Sequence, residues 1–210
     1  MFTEEEIIEM KAIIAEVSRK FGDGAVRMGE IYPTNTAPIL TLADNRLAPI
    51  PVTWGYPKWD GKGVLINARS ETALEKPMFA KPLLTRRCVI PSTGFYEWAL
   101  EDAVEPQLSL LPGDNKSSGK AAKVKLLFRR PEETMLYMAG MMNTFTDKDG
   151  KATDAFIILT TSANASMSPF HDRMPVILSS DEREDWINNE KFMREVISRE
   201  CPKVVWARAS

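Results

Sequence analysis

The stretch RCVIPSTGFYEWAL, residues 87–100, decides the fold class of this sequence. Its β-branched and aromatic residues are typical of strands. Further runs of this kind are PILTLA at 38–43, LAPIPVTWGY at 47–56, GVLINARS at 63–70, KVKLLFRR at 123–130, TMLYMAGMMNTF at 134–145, AFIILTT at 155–161 and PVILS at 175–179. Successive strands with few helices between them predict an α+β fold with a mostly antiparallel, barrel-like sheet.

Helical segments are predicted near both ends of the chain. Thr3 and Glu6 have capping-box spacing, and apolar residues then repeat on one helical face, which predicts a helix over residues 3–21. Ser179 and Glu182 have the same spacing and begin a C-terminal helical region.

Turn signals separate the strands. Asp44-Asn45 and Asp149-Gly150 are candidate hairpin turns, and KVVWARA at 203–209 predicts a closing strand. The sequence contains no internal repeat and no clear linker. We therefore expect a single domain over residues 1–210.

Composition excludes several classes of protein. Of the 210 residues 44% are hydrophobic and 27% charged, and no apolar run approaches the roughly 20 residues of a membrane span. The start, MFTEEEIIEM, lacks the pattern of a secretory signal, so we expect a cytoplasmic protein that does not bind membranes. With Cys88, Cys201 and one histidine, we expect no metal site, no cofactor and no disulfide.

The charge balance gives no global signal for nucleic-acid binding, because the net charge is −2. Between Lys58 and Arg87, however, seven cations stand against three acids, a local charge of +4. This segment is either an ordinary solvated surface or a local binding patch.

Polar residues alternate in the segment LINARSET. On a strand, Asn67, Arg69 and Glu71 would all point to one face. That face is either the solvent side of a half-buried strand or the lining of a site.

Two aromatic segments also carry functional candidates. Glu97 stands between Tyr96 and Trp98, where partial desolvation would suit it to proton transfer, although an arginine-paired surface glutamate fits equally well. Trp59 lies in the turn-rich stretch TWGYPKWDGKG beside lysines. Such rings either pack in a core or stack on the bases of single-stranded nucleic acid, and we expect Trp59 at the surface.

The only histidine, His171, precedes Asp172 and Arg173 in FHDRMP. It is either a structural residue or an acid or base, and the neighbouring arginine could hold a phosphate. Occurring together with Asn67 and Glu97, it favours a reaction centre.

Five motifs together resemble one known family. TNTAP, WGYPKW, LINARSETA, CVIPSTGFYEW and FHDRMPVIL occur in the order and at about the spacing of the SOS-response-associated peptidase (SRAP) family. The resemblance covers nearly the whole chain. It implies a β-barrel-rich α+β domain that binds single-stranded DNA and captures abasic sites in the DNA damage (SOS) response. We also expect a monomer and no cofactor.

In this family an N-terminal cysteine condenses with the sugar aldehyde of an abasic site through its amine and closes a thiazolidine with its thiol. The same cysteine underlies a proposed self-processing peptidase activity. The resemblance assigns catalysis to Asn67, Glu97 and His171, and DNA binding to Arg69, Arg173, Trp59, Asn35, Pro38 and Thr160.

The sequence departs from the family pattern at its start. Family members begin Met-Cys-Gly-Arg and an aromatic residue, whereas this sequence begins Met1-Phe2-Thr3. Neither Cys88 nor Cys201 has a free amine beside its thiol. Either the sequence starts about four residues late or the chain has lost its nucleophile, and the retained proton-transfer residues favour the first explanation.

Two smaller departures lie within the chain. Residues 99–122 exceed what the family core requires, so we expect a surface insertion there. Pro77 stands where some relatives carry a DNA-contacting arginine, for which Lys76 could compensate.

The sequence therefore favours a protein that recognises abasic sites in single-stranded DNA and that crosslinks only when the N-terminal cysteine is present. The alternative is a non-catalytic single-stranded DNA-binding module. A peptidase acting on other proteins is least favoured, because no Ser-His-Asp or internal Cys-His arrangement is visible.

Overall fold

A computed structural model describes residues 4–104, 122–131, 133 and 135–209. In chain order the helices and strands are α1 (Glu4–Phe21), β1 (Thr36–Ala43), β2 (Arg46–Trp54), β3 (Tyr56–Pro57), β4 (Val64–Leu65), β5 (Asn67–Arg69), a 3₁₀ helix (Ser70–Glu75), α2 (Pro77–Thr85), β6 (Arg87–Ser92), β7 (Phe95–Leu100), α3 (Glu101–Val104), β8 (Lys123–Arg129), β9 (Leu136–Thr146), β10 (Ala152–Ser162), β11 (Arg173–Pro175), β12 (Ile177–Leu178), α4 (Arg183–Asn188), α5 (Glu190–Val196) and β13 (Val205–Arg208).

The main sheet closes on itself. Strands β10, β2, β1, β6 and β9 pair in this order, and β9 pairs again with β10. Every pair in this ring is antiparallel except β10 with β2. The expected α+β fold with a mostly antiparallel, barrel-like sheet is therefore confirmed. A second sheet, in the order β13, β8, β7, lies outside the ring.

Strands β2 and β5 both pair with β10, one after the other along its length. Ala155 and Phe156 of β10 pair in parallel with Thr53 and Trp54 of β2, and Ile158 to Thr160 then pair in parallel with β5. The short hairpin formed by β3 and β4 interrupts this line between Trp54 and Asn67. The Trp54 indole closes the base of the hairpin by donating to the Ile66 carbonyl at 3.1 Å.

The segment 87–100 folds as two strands in two different sheets. Strand β6 belongs to the ring and β7 to the second sheet. Gly94 lies in the turn between them, where an added Cβ would stand 2.5 Å from the Phe128 carbonyl oxygen. The single run of extended residues in the sequence is thus divided by a turn whose backbone passes close to β8.

The predicted turns and terminal elements are present. Asp44 and Asn45 have φ values of 50° and 58°, as a two-residue hairpin turn requires. Between β9 and β10, Asp147 Oδ1 accepts hydrogen bonds from the Asp149 and Lys151 amides, at 3.0 and 2.8 Å. Strand β13 corresponds to the predicted closing strand.

Both predicted helical regions are confirmed, the second as α4 and α5. Glu182 Oε2 accepts from the Ser179 amide at 2.9 Å, which is one half of the expected capping box. The side chains of the Thr3–Glu6 capping box and residues 105–121 of the expected insertion lie outside what the structure describes.

The sequence patterns above do not predict helix α2, which contains two prolines. Pro77 occupies the first turn, where its missing N–H costs nothing. Pro82 lies within the nine-residue helix and is buried with Phe79 and Leu83. This packing holds the segment helical despite the proline.

Candidate functional site

The candidate site residues converge where β10 ends. Thr160 pairs with Arg69 of β5 on one side and with Pro175 of β11 on the other. Ser162 pairs with Arg173, and the loop of residues 163–172 that joins β10 to β11 carries His171. The barrel therefore brings together four of the residues predicted to form the site: Arg69, Thr160, His171 and Arg173.

Asn67 and Arg69 share the exposed face of β5, while Ala68 between them is buried. Neither side chain makes a hydrogen bond or ion pair with another residue that the structure describes. The prediction that Glu71 continues this strand face is wrong, because β5 ends at Arg69 and Glu71 belongs to the 3₁₀ helix.

Glu71 instead binds Arg173. The Arg173 guanidinium donates from Nη1 to Glu71 Oε1 at 2.7 Å and from Nη2 to Glu71 Oε2 at 2.8 Å. Nη2 also donates to the Thr160 carbonyl at 2.7 Å, and Ser162 Oγ lies 3.5 Å from Nη1. Arg173 Nε is buried without a partner among the residues described. Sequence reasoning assigned Glu71 no partner, since the two residues are distant in the chain.

This pair strongly perturbs the glutamate. The hydrogen bonds from Arg173 are the main cause that lowers the pKa of Glu71 from 4.5 to about 2. Partial burial acts in the opposite direction and is outweighed. Glu71 is therefore a carboxylate at every physiological pH.

His171 is half-buried, with hydrogen-bond partners around Nδ1. The backbone amide of Arg173 donates to Nδ1 at 2.9 Å. The Arg173 carbonyl oxygen and Asp172 Oδ1 both lie 3.2 Å from the same nitrogen and can only accept. Nδ1 thus has a donor when it is unprotonated and acceptors when it is protonated, an arrangement suited to proton transfer.

Glu97 lies on β7 and faces the interior. It shares a strand face with Phe95 and Ala99, which pack against a buried apolar cluster, while Tyr96 and Trp98 point outward. Phe95 stacks on Phe128, and Phe128 contacts Phe170, the residue before His171. The second sheet is therefore packed against the loop that carries His171, and Glu97 lies in that sheet.

Trp59 is 95% exposed in the loop of the β3–β4 hairpin. The loop is ordered by hydrogen bonds from Gly61 N to the Lys58 carbonyl at 3.0 Å and from Lys62 N to Asp60 Oδ1 at 2.9 Å. The expectation of a surface position for Trp59 is confirmed. An open indole beside two lysines can stack on a nucleobase.

Asn35 immediately precedes β1, and Pro38 lies near the start of its pairing with β2. The Asn35 side chain accepts from the Tyr32 amide at 3.0 Å, and its carbonyl accepts from the Trp54 amide at 2.9 Å. Pro38 is buried in β1 opposite Pro51. Asn35 thus lies beside the base of the hairpin, whereas Pro38 lies in the barrel wall.

The basic segment loses two of its cations to structural roles. Arg87 is 5% exposed and donates to the carbonyls of Trp186, Leu83 and Leu84. Arg86 pairs with Asp154 at 3.3 Å. The other five, Lys58, Lys62, Arg69, Lys76 and Lys81, remain for an anionic ligand, and the first three of these lie on the hairpin and β5.

Within the described residues, no group of three or more His, Cys, Asp or Glu side chains could hold a metal ion. Cys88 and Cys201 are both free and buried, and burial raises the pKa of each thiol. No helix in the described part of the chain is long and apolar enough to cross a membrane.

Comparison with known proteins places these residues in a family. A sequence profile described as "SOS response associated peptidase (SRAP)" matches residues 6–204. The Abasic site processing protein YoqW of Bacillus subtilis (strain 168) is 34% identical over 173 residues, which cover 76% of this chain and 69% of the relative. The Abasic site processing protein YedK of Escherichia coli (strain K12) is 30% identical over 176 residues, or 81% and 70% of the two chains.

Solved structures agree with this result. A crystal structure of a protein from Bacteroides thetaiotaomicron superposes with a TM-score of 0.66 at 27% identity, covering 84% of this chain and 75% of the other. The chain therefore belongs to the SOS response associated peptidase (SRAP) family.

Proposed function

We propose that this protein recognises abasic sites in single-stranded DNA and processes them as part of the response to DNA damage. The observation that carries the proposal is the convergence of Arg69 and His171 at the end of β10, with Asn67 on the same face of β5 and a nearby hairpin that exposes Trp59. Relatives named abasic site processing proteins support the same assignment.

The DNA path runs from the hairpin to β5. Trp59 stacks on a base, and Arg69, whose guanidinium is exposed and unpaired among the described residues, holds a phosphate beside the lesion. Asn35 lies beside this path, while Pro38 and Thr160, which are buried in β1 and β10, support it from within the barrel. Arg173 can contact a phosphate through its paired Nη edge only by releasing Glu71.

The covalent step uses a cysteine at the amino terminus, as in the family. Its amine adds to the C1′ aldehyde of the opened sugar and loses water to give an imine. The thiol then adds to the imine carbon, the thiol proton passes to nitrogen, and a thiazolidine closes with one water released overall. Glu97 shuttles protons to the amine and the ring oxygen, His171 assists ring opening and reversal, and Asn67 positions the sugar. The self-processing peptidase activity uses the same cysteine.

The test compares two proteins. The cysteine-bearing variant, with Met-Cys-Gly-Arg placed directly before Phe2, is expected to form a heat-stable adduct with single-stranded DNA that contains an abasic site. The chain beginning Met1-Phe2-Thr3 is expected to bind that DNA without an adduct. Absence of an adduct from the cysteine-bearing variant would contradict the proposed chemistry.

A non-catalytic single-stranded DNA-binding module is the second candidate. It is favoured by the burial of both cysteines, at 0% and 7% exposure, which leaves no accessible thiol in the described part of the chain. In that case Arg69 alters DNA affinity and its salt dependence, whereas Glu97 and His171 affect neither affinity nor any adduct.

A further inference from the structure

We propose that Glu71 is a positioning residue for His171 and acts through Arg173. The proton-transfer role of His171 rests on the proposed function, but the positioning itself is a property of the DNA-free protein. The inference begins from the hydrogen bonds of Arg173, which connect the 3₁₀ helix, β10 and the His171 loop.

The side chain of Arg173 is held from several sides. Glu71 occupies the edge formed by Nη1 and Nη2, Thr160 takes a second bond from Nη2, and Nε is buried. Only 19% of the side chain is exposed. A phosphate that approached this edge would have to replace an ionised carboxylate already bound in bidentate geometry. The described contacts therefore favour Arg173 as a fixed support.

The main chain of Arg173 is what touches His171. Its amide donates to Nδ1 at 2.9 Å, whereas the two acceptors near this nitrogen, the Arg173 carbonyl oxygen and Asp172 Oδ1, lie farther away at 3.2 Å. The shorter contact favours the neutral ring with the lone pair on Nδ1 and the proton on Nε2. The amide contact thus favours one tautomer of His171. It leaves the Nε2–H group as the proton donor for a substrate.

Glu71 stabilises this arrangement because β11 is a short strand at the edge of the sheet and is paired on one side, with β10. The strand has three residues, and the loop before it is closed by the Ser162–Arg173 pair and the bond from Ala163 N to the Asp172 carbonyl at 2.9 Å. The Glu71–Arg173 ion pair connects the 3₁₀ helix to the first residue of β11. Without it, the Arg173 amide is less firmly directed at the imidazole.

The test uses the fact that the chain has a single histidine. Two-bond ¹H–¹⁵N correlation spectra of the DNA-free protein, recorded where imidazole is neutral, report the His171 tautomer without competing histidine signals. We expect the Nε2–H tautomer in the unaltered chain and a shift toward a mixture in Glu71→Gln. Glu190→Gln, which removes the carboxylate of the exposed pair with Arg194, serves as the matched control and is expected to leave the spectrum unchanged.

Arg173→Lys provides an independent variant if Glu71→Gln folds poorly. Lysine keeps the positive charge but lacks the planar guanidinium that donates to Glu71 and to the Thr160 carbonyl at once. We therefore expect the same shift of His171 toward a mixture of tautomers. An unchanged tautomer in either folded variant would overturn the proposal.

A second measurement separates positioning from phosphate binding. In the cysteine-bearing variant, Glu71→Gln is expected to slow adduct formation on the order of tenfold to a hundredfold and to alter its pH profile, with little change in DNA affinity. Stronger DNA binding with a steeper salt dependence would instead identify Glu71 as a competitor of phosphate and overturn the proposal. If the parent cysteine-bearing variant forms no adduct, the proposed function fails, while the tautomer measurement still decides this inference.

Discussion

The carboxylate of Glu71 and the guanidinium of Arg173 meet edge to edge at 2.7 and 2.8 Å, across 102 positions of sequence. This pair joins the 3₁₀ helix after β5 to the first residue of β11. Both strands flank β10, so the contact closes the end of the barrel at which the candidate site residues meet.

The pair predicts a specific acid dependence of stability. The folded pKa of Glu71 lies at about 2, below its ordinary value of 4.5, because Arg173 stabilises the carboxylate. A lowered folded pKa contributes stability that is fully present above pH 4.5 and is lost as the pH falls toward about 2. Urea unfolding should show Glu71→Gln to be less stable than the unaltered protein near neutral pH, with the difference shrinking across that window.

The Glu71 side chain is 42% exposed, so solvent screening keeps the difference in the free energy of unfolding between Glu71→Gln and the unaltered protein small. Glu190→Gln, which removes the carboxylate of the exposed pair with Arg194, is the matched control and should reduce stability less than Glu71→Gln does. A difference between Glu71→Gln and the unaltered protein that stays constant from neutral pH to the acid limit would contradict the prediction.

Arg69→Ala should weaken binding to single-stranded DNA and flatten its salt dependence. Loss of one phosphate contact lowers the slope of log K against log salt concentration by about 0.7. Arg46→Ala is the matched control, because Arg46 is also exposed but lies at the opposite end of β2 from Trp54. Equal slopes for the two variants would remove Arg69 from the DNA path.

Trp59→Ala should reduce DNA affinity by about 1–3 kcal/mol, the range for one stacked base. Because Trp59 is 95% exposed, the thermal midpoint should not change. Trp59→Phe keeps an aromatic face and should retain much of the affinity. Fluorescence titration and thermal unfolding measure the two effects separately, and a large loss of stability in Trp59→Ala would point to a structural role.

Glu97→Gln and His171→Ala separate catalysis from binding. In the cysteine-bearing variant, each should slow adduct formation or its reversal by about 10²–10⁴-fold, the usual contribution of a proton-transfer group. Binding to intact single-stranded DNA should be retained. A parallel loss of affinity and rate in both variants would favour the non-catalytic binding module.

Gly140→Ala tests the packing of the barrel. An added Cβ would lie 2.3 Å from Ile90 Cδ1 and 2.7 Å from the Ile157 carbonyl oxygen, so β6 or β10 must shift. We expect a loss of about 1–3 kcal/mol in the free energy of unfolding. Gly150→Asn is the control, because Gly150 has open space around it and asparagine tolerates its φ of +80°. Equal destabilisation of both variants would show that strand packing around Gly140 is looser than described.

Local signals in the sequence were sufficient for much of the fold. Strand composition predicted the sheet, the two-residue turn at Asp44 and Asn45 was recognisable, and the Ser179–Glu182 spacing marked the start of the second helical region. Each of these depends on residues within a few positions of one another. Helix α2 was not predicted, because Pro82 disfavours a helix by its intrinsic propensity. The burial of Pro82 with Phe79 and Leu83 stabilises the helix in the folded protein.

The candidate site was only partly predictable for the same reason. Alternation placed Asn67 and Arg69 on one face, but nothing local marks the end of β5 at Arg69. The partner of Arg173 could not be inferred, since Glu71 becomes its neighbour only after both segments align along β10. Pairing between distant residues depends on topology, which local patterns do not contain.

The hairpin that interrupts the line of β2 and β5 separates the exposed Trp59 from the strand that carries Asn67 and Arg69. Both flanking segments pair directly with β10, and the bond from Trp54 to the Ile66 carbonyl closes the base of the hairpin. These contacts lie outside the loop of the hairpin, so its length and tip can change without loss of the pairing with β10. Under the proposed function, the reach toward a nucleobase can vary with the hairpin, whereas Asn67 and Arg69 stay in place on β5.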